Sequence, residues 1–254
     1  MIDTHTHIYL PDFKDDLDEI IDRCKSAGVK HLVLPNIDED SLQQIRELHS
    51  KYPEFTSMAI GIHPTEIKND WEQSIIKVRQ ELTTGEYVSV GEIGLDLYWD
   101  KTYINQQMEA FKAQLLLAEE FSLPVIIHSR DAYEETVEVI KTVKPTVPLI
   151  FHSFTGSKAN VLNIRKICDP YFGINGVITY KNAHELREAV PIIGLDKIIL
   201  ETDSPYLTPV PFRGKRNESS YLPYIRDKIS QVLSLSPENV ELQTDENAKF
   251  IFRI

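Results

Sequence analysis

The segment Pro124-Val-Ile-Ile-His128 decides the fold, because it is apolar at every position until it reaches a histidine. Such a run is typical of a strand that is buried on both faces of a parallel sheet. Seven further segments are similarly rich in β-branched and aromatic residues. They lie at residues 1–5, 31–35, 55–62, 87–93, 148–152, 171–175 and 197–202. The chain therefore contains eight predicted strands.

Stretches with apolar residues at helical spacing lie between the predicted strands. In the stretch 12–27, Leu17, Ile20, Ile21 and Cys24 share one helix face, and Gly28 ends the pattern. The other predicted helices lie at residues 69–82, 103–121, 131–143, 157–168, 182–193 and 220–233, with one extra helix at 238–250. This alternation predicts an α/β fold, a (β/α)8 TIM barrel that forms a single domain over residues 1–254. A doubly wound open sheet is the alternative.

Composition restricts the class of protein. The chain has 254 residues, of which 42% are apolar and 26% are charged, and its net charge is −12. A protein that coats nucleic acid would be basic, so any phosphate-bearing substrate must be attracted by metal ions and a few local cations. The chain has two cysteines far apart in sequence, which favours a reducing compartment. It shows no basic-then-apolar leader and no apolar run of membrane length, so we expect a cytoplasmic protein without membrane contact.

Six residues of metal-binding types lie at or just past the ends of the predicted strands. They are His5, His7, Glu92, His128, His152 and Asp203. Because the carboxyl ends of parallel strands meet on one rim, where barrel enzymes place their sites, we expect all six side chains to converge. Imidazole and carboxylate groups together form metal sites, and this set favours two ions over one.

Each residue taken alone has a less specific interpretation. A buried histidine such as His128 is usually a hydrogen-bonded core residue, and Asp203 alone would be a turn-starting aspartate. We expect His5 and His7 to share one ion, since side chains at i and i+2 of a strand point the same way. Glu92 lies between two glycines, in a predicted tight turn, and its two oxygens can bridge two cations.

Motifs along the whole chain resemble those of the TatD-family metal-dependent deoxyribonucleases, within the wider group of amidohydrolase-like barrels. They include Asp3-Thr-His-Thr-His7, Gly61-Ile-His-Pro64, Gly91-Glu-Ile-Gly-Leu-Asp96, His128-Ser-Arg-Asp-Ala132, Phe151-His-Ser-Phe-Thr-Gly156, Glu201-Thr-Asp-Ser-Pro-Tyr-Leu207 and Phe212-Arg-Gly-Lys-Arg-Asn-Glu218. One position departs from the family pattern. Ser219 stands where the family usually has proline, which puts the rigidity of that loop in question.

The resemblance implies a role for each metal-binding residue. A first ion is held by His5, His7, Glu92 and Asp203, and a second by Glu92, His128 and His152. The implied activity is hydrolysis of phosphodiester bonds in DNA, often from the 3′ end, so the expected partner is single-stranded DNA or a 3′ end. The cofactors are two divalent ions, Zn, Mn or Mg, because imidazoles favour Zn or Mn whereas the family is usually assayed with Mg.

The implied chemistry is attack by a water whose pKa is lowered by two cations. Asp203 is the predicted general base and Glu92 the bridging catalytic ligand. His63, Arg130 and Arg213 are predicted substrate contacts. Their alternatives are a brace for a neighbouring ligand (His63), a salt bridge to a carboxylate (Arg130), and a solvated basic loop that includes Arg213.

Two other functions remain open from the sequence. The first is an amidohydrolase-type hydrolase of a small ester, amide or aminoacyl substrate. A bridging lysine would favour that function, but the bridge position is Glu92. The second is a non-catalytic scaffold, which the complete ligand set opposes.

Overall fold

The computed structural model describes residues 1–254, and eight parallel strands follow one another around its sheet in chain order. They are β1 (Ile2–Asp3), β2 (His31–Leu34), β3 (Thr56–Ile60), β4 (Tyr87–Asp96), β5 (Val125–Arg130), β6 (Leu149–Phe151), β7 (Tyr171–Ile174) and β8 (Ile198–Leu200). The main-chain N–H of Thr4, just after β1, donates to the carbonyl of Leu200 at 3.0 Å and joins the last strand to the first. The sheet therefore forms a barrel, and the open-sheet alternative is wrong.

Helices connect the strands on the outside of the barrel. They are α1 (Leu17–Ser26), α2 (Glu39–Lys51), α3 (Trp71–Leu82), α4 (Ile104–Phe121), α5 (Tyr133–Val143), α6 (Lys158–Ile164), α7 (His184–Ile193), α8 (Leu222–Leu233) and α9 (Pro237–Phe252). The predicted (β/α)8 barrel with one extra C-terminal helix is confirmed. No helix combines the length and the apolar composition needed to cross a membrane.

Three helices differ from the sequence prediction, and α6 is one of them because it ends at Ile164 rather than at residue 168. Helix α2 was not predicted, because only Leu42, Ile45 and Leu48 are apolar among its 13 residues. Its start is nevertheless well defined, since the Asp38 carboxylate accepts from the main-chain N–H of Ser41 at 2.7 Å in a capping box. Helix α1 begins five residues later than predicted, because residues 11–13 form a separate 3-10 turn.

The apolar core has two parts. Along β2, Leu32 and Leu34 belong to the large cluster that the helices cover, whereas Val33 faces the barrel interior. The interior cluster contains nine buried residues: Ile2, Val33, Ala59, Ile126, Ile150, Ile199, Ala248, Ile251 and Phe252. The last three belong to α9, so this helix closes the amino-terminal end of the barrel. The carboxyl end is left for the side chains that follow the strands.

Candidate metal centre

His5 and His7 meet at the carboxyl end of the barrel. Their Nε2 atoms are 3.1 Å apart, as expected for two ligands of one ion. The expected reason was wrong, because β1 ends at Asp3 and neither histidine lies in a strand. Their positions are instead fixed by the segment that follows β8, since the N–H of Asp203 donates to the carbonyl of His5 at 2.9 Å, and the N–H of His7 donates to the carbonyl of Ser204 at 2.8 Å.

Glu92 lies at the centre of the cluster. It was predicted in a tight turn, but it lies within β4, where the pairing with β5 changes register between Val90 and Ile93. Its two oxygens face different imidazoles. Oε2 is 3.2 Å from His5 Nε2 and 3.9 Å from His7 Nε2. Oε1 is 2.6 Å from His128 Nδ1 and 3.5 Å from His152 Nε2.

Asp203 completes the group on the side of His5 and His7. Its Oδ1 is 3.8 Å from His5 Nε2, 3.6 Å from His7 Nε2 and 3.9 Å from His152 Nε2. Two ligands bonded to one ion at about 2.0–2.2 Å lie within about 4.4 Å of each other. The separations around Glu92 and Asp203 are of this size, so the donor set fits divalent cations of the zinc or manganese type. The structure brings all six predicted side chains together, and their role as ligands stays a prediction.

His63 joins the cluster on the side of His128. Its Nε2 is 3.3 Å from His128 Nδ1 and 3.6 Å from Glu92 Oε1. The main-chain N–H of Thr65 donates to His63 Nδ1 at 3.2 Å, which leaves the proton of the neutral imidazole on Nε2. Burial lowers the pKa of His63 to about 3, so the neutral form is present at pH 7. His63 therefore presents a hydrogen-bond donor to the site.

Three further side chains orient the imidazoles. Asp96 Oδ2 lies 3.0 Å from His128 Nε2, and Glu201 Oε1 lies 3.2 Å from His152 Nδ1. The hydroxyl of Tyr9 lies 2.7 Å from His7 Nδ1 and donates to the carbonyl of Pro35, so it accepts the His7 proton. Contacts of this kind fix the ring so that the other nitrogen is free to bind metal.

None of these three orienting residues was predicted. Glu201 carried a usable signal, because this carboxylate directly follows the apolar run of β8 and lies two residues before Asp203. Asp96 carried a similar one at the end of the β4 motif. Tyr9 carried none, since its contact with Pro35 spans 26 residues of chain.

The electrostatics keep the carboxylates ionised. Burial alone would raise the pKa of Glu92, but the imidazoles of His152 and His5 outweigh it and hold that pKa well below its usual range. The same balance, with His152 first among the opposing groups, lowers the pKa of Asp203. Burial opposes protonation of His152, but Glu201 and Glu92 raise its pKa to about 10. Cations that bind here must displace a proton, as is usual for histidine ligands.

Comparison with known proteins now identifies the family. The sequence profile of the family described as TatD related DNase matches residues 2–253. The chain belongs to the TatD-related DNase family. The resemblance inferred from the motifs is therefore confirmed, and the chain is a member of a family of metal-dependent hydrolases.

Similar TatD-family proteins cover the chain from end to end. An uncharacterized metal-dependent hydrolase of Bacillus subtilis, YabD, is 37% identical over an alignment of 255 positions that covers 100% of this chain and 99% of that protein. The 3′-5′ ssDNA/RNA exonuclease TatD of Erwinia billingiae is 32% identical and covers 100% and 99%. The crystal structure of YJJV, a TatD homolog from Escherichia coli, has a TM-score of 0.93 at 26% identity and covers 100% and 98%.

Two predicted substrate arginines lie at the mouth of this TatD-family barrel. The alternative of a salt bridge is wrong for Arg130, which has no carboxylate within 4 Å and whose guanidinium lies 3.8 Å from the ring centre of Tyr98. The guanidinium of Arg213 lies 3.9 Å from the ring centre of Tyr180 and also has no carboxylate partner. Both cations are therefore free to bind an anion.

Hydrogen bonds anchor the carboxyl end of the loop that contains Arg213. The side-chain amide of Asn217 donates to the carbonyls of Thr202 and Tyr206, at 2.8 and 2.6 Å. Ser219, in place of the family's usual proline, donates its hydroxyl to Thr6 Oγ1 at 3.2 Å. These contacts tie the loop to the residues around Asp203, so the substitution of proline leaves the loop anchored.

Proposed function

We propose that this TatD-family protein hydrolyses phosphodiester bonds in DNA, removing nucleotides from the 3′ ends of single strands with two divalent cations. The observation that carries the proposal is the arrangement around Glu92, whose Oε2 faces His5 and His7 while Oε1 faces His128 and His152. A carboxylate whose two oxygens face separate groups of imidazoles is suited to bridge two ions. Two-metal sites are characteristic of enzymes that cleave phosphate esters.

The proposed ligands divide between the two sides of Glu92. His5, His7 and Asp203 would hold the first ion with Glu92, and His128 and His152 would hold the second with the same carboxylate. Divalent ions held by these residues would lower the pKa of water and stabilise negative charge on phosphoryl oxygens. Imidazole donors favour Zn or Mn. Mg is also a candidate, because Glu92 and Asp203 provide carboxylate oxygens, which Mg prefers.

The side chains around the cluster perform the other steps. The ionised carboxylate of Asp203 accepts the proton of the attacking water. The Nε2–H of neutral His63 donates to a phosphoryl oxygen or to the leaving 3′ oxygen. Arg130 and Arg213 bind flanking phosphates, because neither guanidinium is neutralised by a carboxylate. These contacts supply positive charge locally in a chain whose net charge is −12.

The choice of substrate is supported by a relative. The Erwinia billingiae protein, 32% identical over 99% of its length, is named as a 3′-5′ exonuclease of single-stranded DNA and RNA. We further propose that residues 1–254 act as one catalytic domain and that the protein works in the cytoplasm.

The test is digestion of a single-stranded oligonucleotide labelled at its 5′ end, with Mg, Mn or Zn added in turn. We expect a ladder of products that shorten from the 3′ end. Protein with the substitution Asp203→Asn, purified in the same way, is the control for contaminating nuclease and should leave the strand intact. An intact strand with every metal overturns the proposal, and hydrolysis of p-nitrophenyl acetate alone would point to a small-ester hydrolase.

A further inference from the structure

Two exposed aromatic side chains follow β4 at the mouth of the barrel and have no role in the proposed chemistry. Tyr98 is 53% exposed and Trp99 is 70% exposed, although large aromatic side chains usually lose most of their surface on folding. Their rings meet edge to face, with centroids 4.9 Å apart. Trp99 thus keeps an open indole face in solvent beside the metal centre.

The loop that carries these rings is fixed to the metal centre. Asp96 Oδ1 accepts the main-chain N–H of Tyr98 at 3.0 Å and that of Trp99 at 3.3 Å. The other oxygen of Asp96 contacts His128 Nε2. The N–H of Leu97 donates to the carbonyl of Arg130 at 2.9 Å. One carboxylate therefore sets both the orientation of a proposed metal ligand and the position of the aromatic pair.

Arg130 adds a free positive charge to the same surface. Its guanidinium lies 3.8 Å from the ring centre of Tyr98 and 5.4 Å from that of Trp99. The chain has ten arginines, and six pair with a carboxylate: Arg23, Arg46, Arg79, Arg165, Arg216 and Arg226. Arg130 instead stacks on an aromatic ring, so its N–H groups remain available for an anion.

We propose that Tyr98, Trp99 and Arg130 form a stacking platform that binds one unpaired nucleotide of the strand beside the metal centre. This inference rests on the proposed function, because it specifies how the same DNA substrate is bound. The base stacks on the open face of Trp99, and Arg130 binds the adjoining phosphate. Stacking on an aromatic side chain accepts any base and is the usual way to bind single strands without sequence preference.

The platform selects single strands over duplexes. A base within a duplex is covered on both faces by its neighbours, and exposing it costs unpairing and unstacking free energy. An unpaired base near a 3′ end has no such cost. The stacking contact also does not touch the 2′ position of the sugar, so the platform accepts deoxyribose and ribose alike.

The fluorescence of Trp99 reports the contact directly. The chain has two tryptophans, so the Trp71→Phe protein retains Trp99 as its single indole emitter. We expect its emission to be quenched by a single-stranded phosphorothioate oligonucleotide, which resists hydrolysis. A blunt hairpin of the same composition should quench much less at the same nucleotide concentration.

Binding of a dye-labelled phosphorothioate strand, followed by anisotropy, measures the contribution of the ring. Trp99→Ala should weaken binding about tenfold, which corresponds to 1.4 kcal/mol and lies within the range for one stacked base. Trp99→Phe should recover part of the loss. Phe250→Ala is the matched control, because Phe250 is 72% exposed but lies on α9 at the closed end of the barrel.

The outcomes separate the platform from the hydrolytic proposal. If the strand binds by anisotropy while Trp99 emission and the Trp99→Ala affinity are unchanged, the platform is overturned, and cleavage by the unmodified protein can still stand. If the emission responds but no metal supports cleavage, the hydrolytic proposal fails and the platform stands. Equal quenching by hairpin and single strand removes the selectivity, and absence of any binding overturns the platform together with the DNA substrate.

Discussion

The two ends of the barrel interior are both buried, but they are built from opposite chemistry. The closed end is lined by aliphatic side chains such as Ile126 and Ile150, each 1% exposed. The open end collects four histidines and two carboxylates, and each imidazole has a nitrogen 2.6 to 3.9 Å from a Glu92 oxygen. A single residue separates these environments along the chain, because Ile126 lies two positions before His128 and Ile150 lies two positions before His152.

Within one strand, the apolar residues at the closed end stabilise the fold, and the polar residue at the open end contributes to the candidate metal site. Burial of apolar surface at the closed end stabilises the fold by about 25 cal/mol per Å². Burial of imidazoles and carboxylates at the open end is unfavourable unless each group finds a partner. Glu201, Asp96 and Tyr9 provide those partners for His152, His128 and His7. We therefore expect substitutions at the two ends to have separable effects.

The largest expected effect is that of Glu92→Ala at the open end. It removes the carboxylate whose two oxygens face the two groups of imidazoles, so bound metal should fall and turnover should drop by on the order of 10³ or more. Metal content by elemental analysis and cleavage of a labelled oligonucleotide measure the two losses. Full activity in metal-stripped Glu92→Ala protein would refute the bridging role.

At the closed end, Phe252→Ala should destabilise the fold without removing metal. Phe252 is 2% exposed in the interior cluster, and emptying such a position costs about 3–5 kcal/mol. Urea unfolding measures the loss, and Phe250→Ala, on the same helix but exposed, should change stability by about 0.5 kcal/mol or less. Metal loss from folded Phe252→Ala protein would show that the two ends are coupled.

Sequence analysis correctly predicted which residues lie at each end of the barrel where the strands are regular. His128 and His152 directly follow the apolar runs that contain Ile126 and Ile150, so strand periodicity alone places them beyond the closed end. It failed where the chain is irregular. His5 and His7 converge outside any strand, and Glu92 lies at a register change within β4. Their geometry depends on contacts with β8 and β5, which are far away in sequence.

The pairing of each imidazole with its partner could not be predicted for the same reason. Asp96 and His128 are separated by 32 residues, and nothing local in either segment specifies their contact. Glu218 shows the same difficulty, because this buried carboxylate binds Arg23 at 2.7 Å, 195 residues away. Sequence patterns define elements and their ends, whereas pairings between elements follow from the closed barrel.

An intermediate effect is expected for Asp96→Ala. Its loss frees the His128 ring and should weaken metal binding 10–100-fold, the usual range for a partner that orients a ligand. Only the ion on the His128 side should be affected, because His5 and His7 do not contact Asp96. Calorimetric titration with Mn or Zn should then show one weakened site of two. Equal weakening of both sites would contradict the division of ligands around Glu92.

The smallest expected effect is that of Arg213→Ala, which tests how far the polar end extends beyond the metal centre. Arg213 stacks on Tyr180 and has no carboxylate partner, so its loss should weaken oligonucleotide binding a few-fold. It should also reduce the slope of log affinity against log salt by about 1, as expected for one phosphate contact. Affinities measured by anisotropy at several salt concentrations give both values.

A matched control for Arg213 lies three residues away in the same loop. Arg216 donates to the Asp16 carboxylate at 2.9 and 2.6 Å, so its charge is already neutralised within the protein. Arg216→Ala should therefore leave the salt slope unchanged, although it removes the same charge from the same loop. If both substitutions reduce the slope equally, the loop acts as a diffuse basic surface and Arg213 makes no specific phosphate contact. The substrate-binding part of the open end would then be limited to the cluster around Glu92.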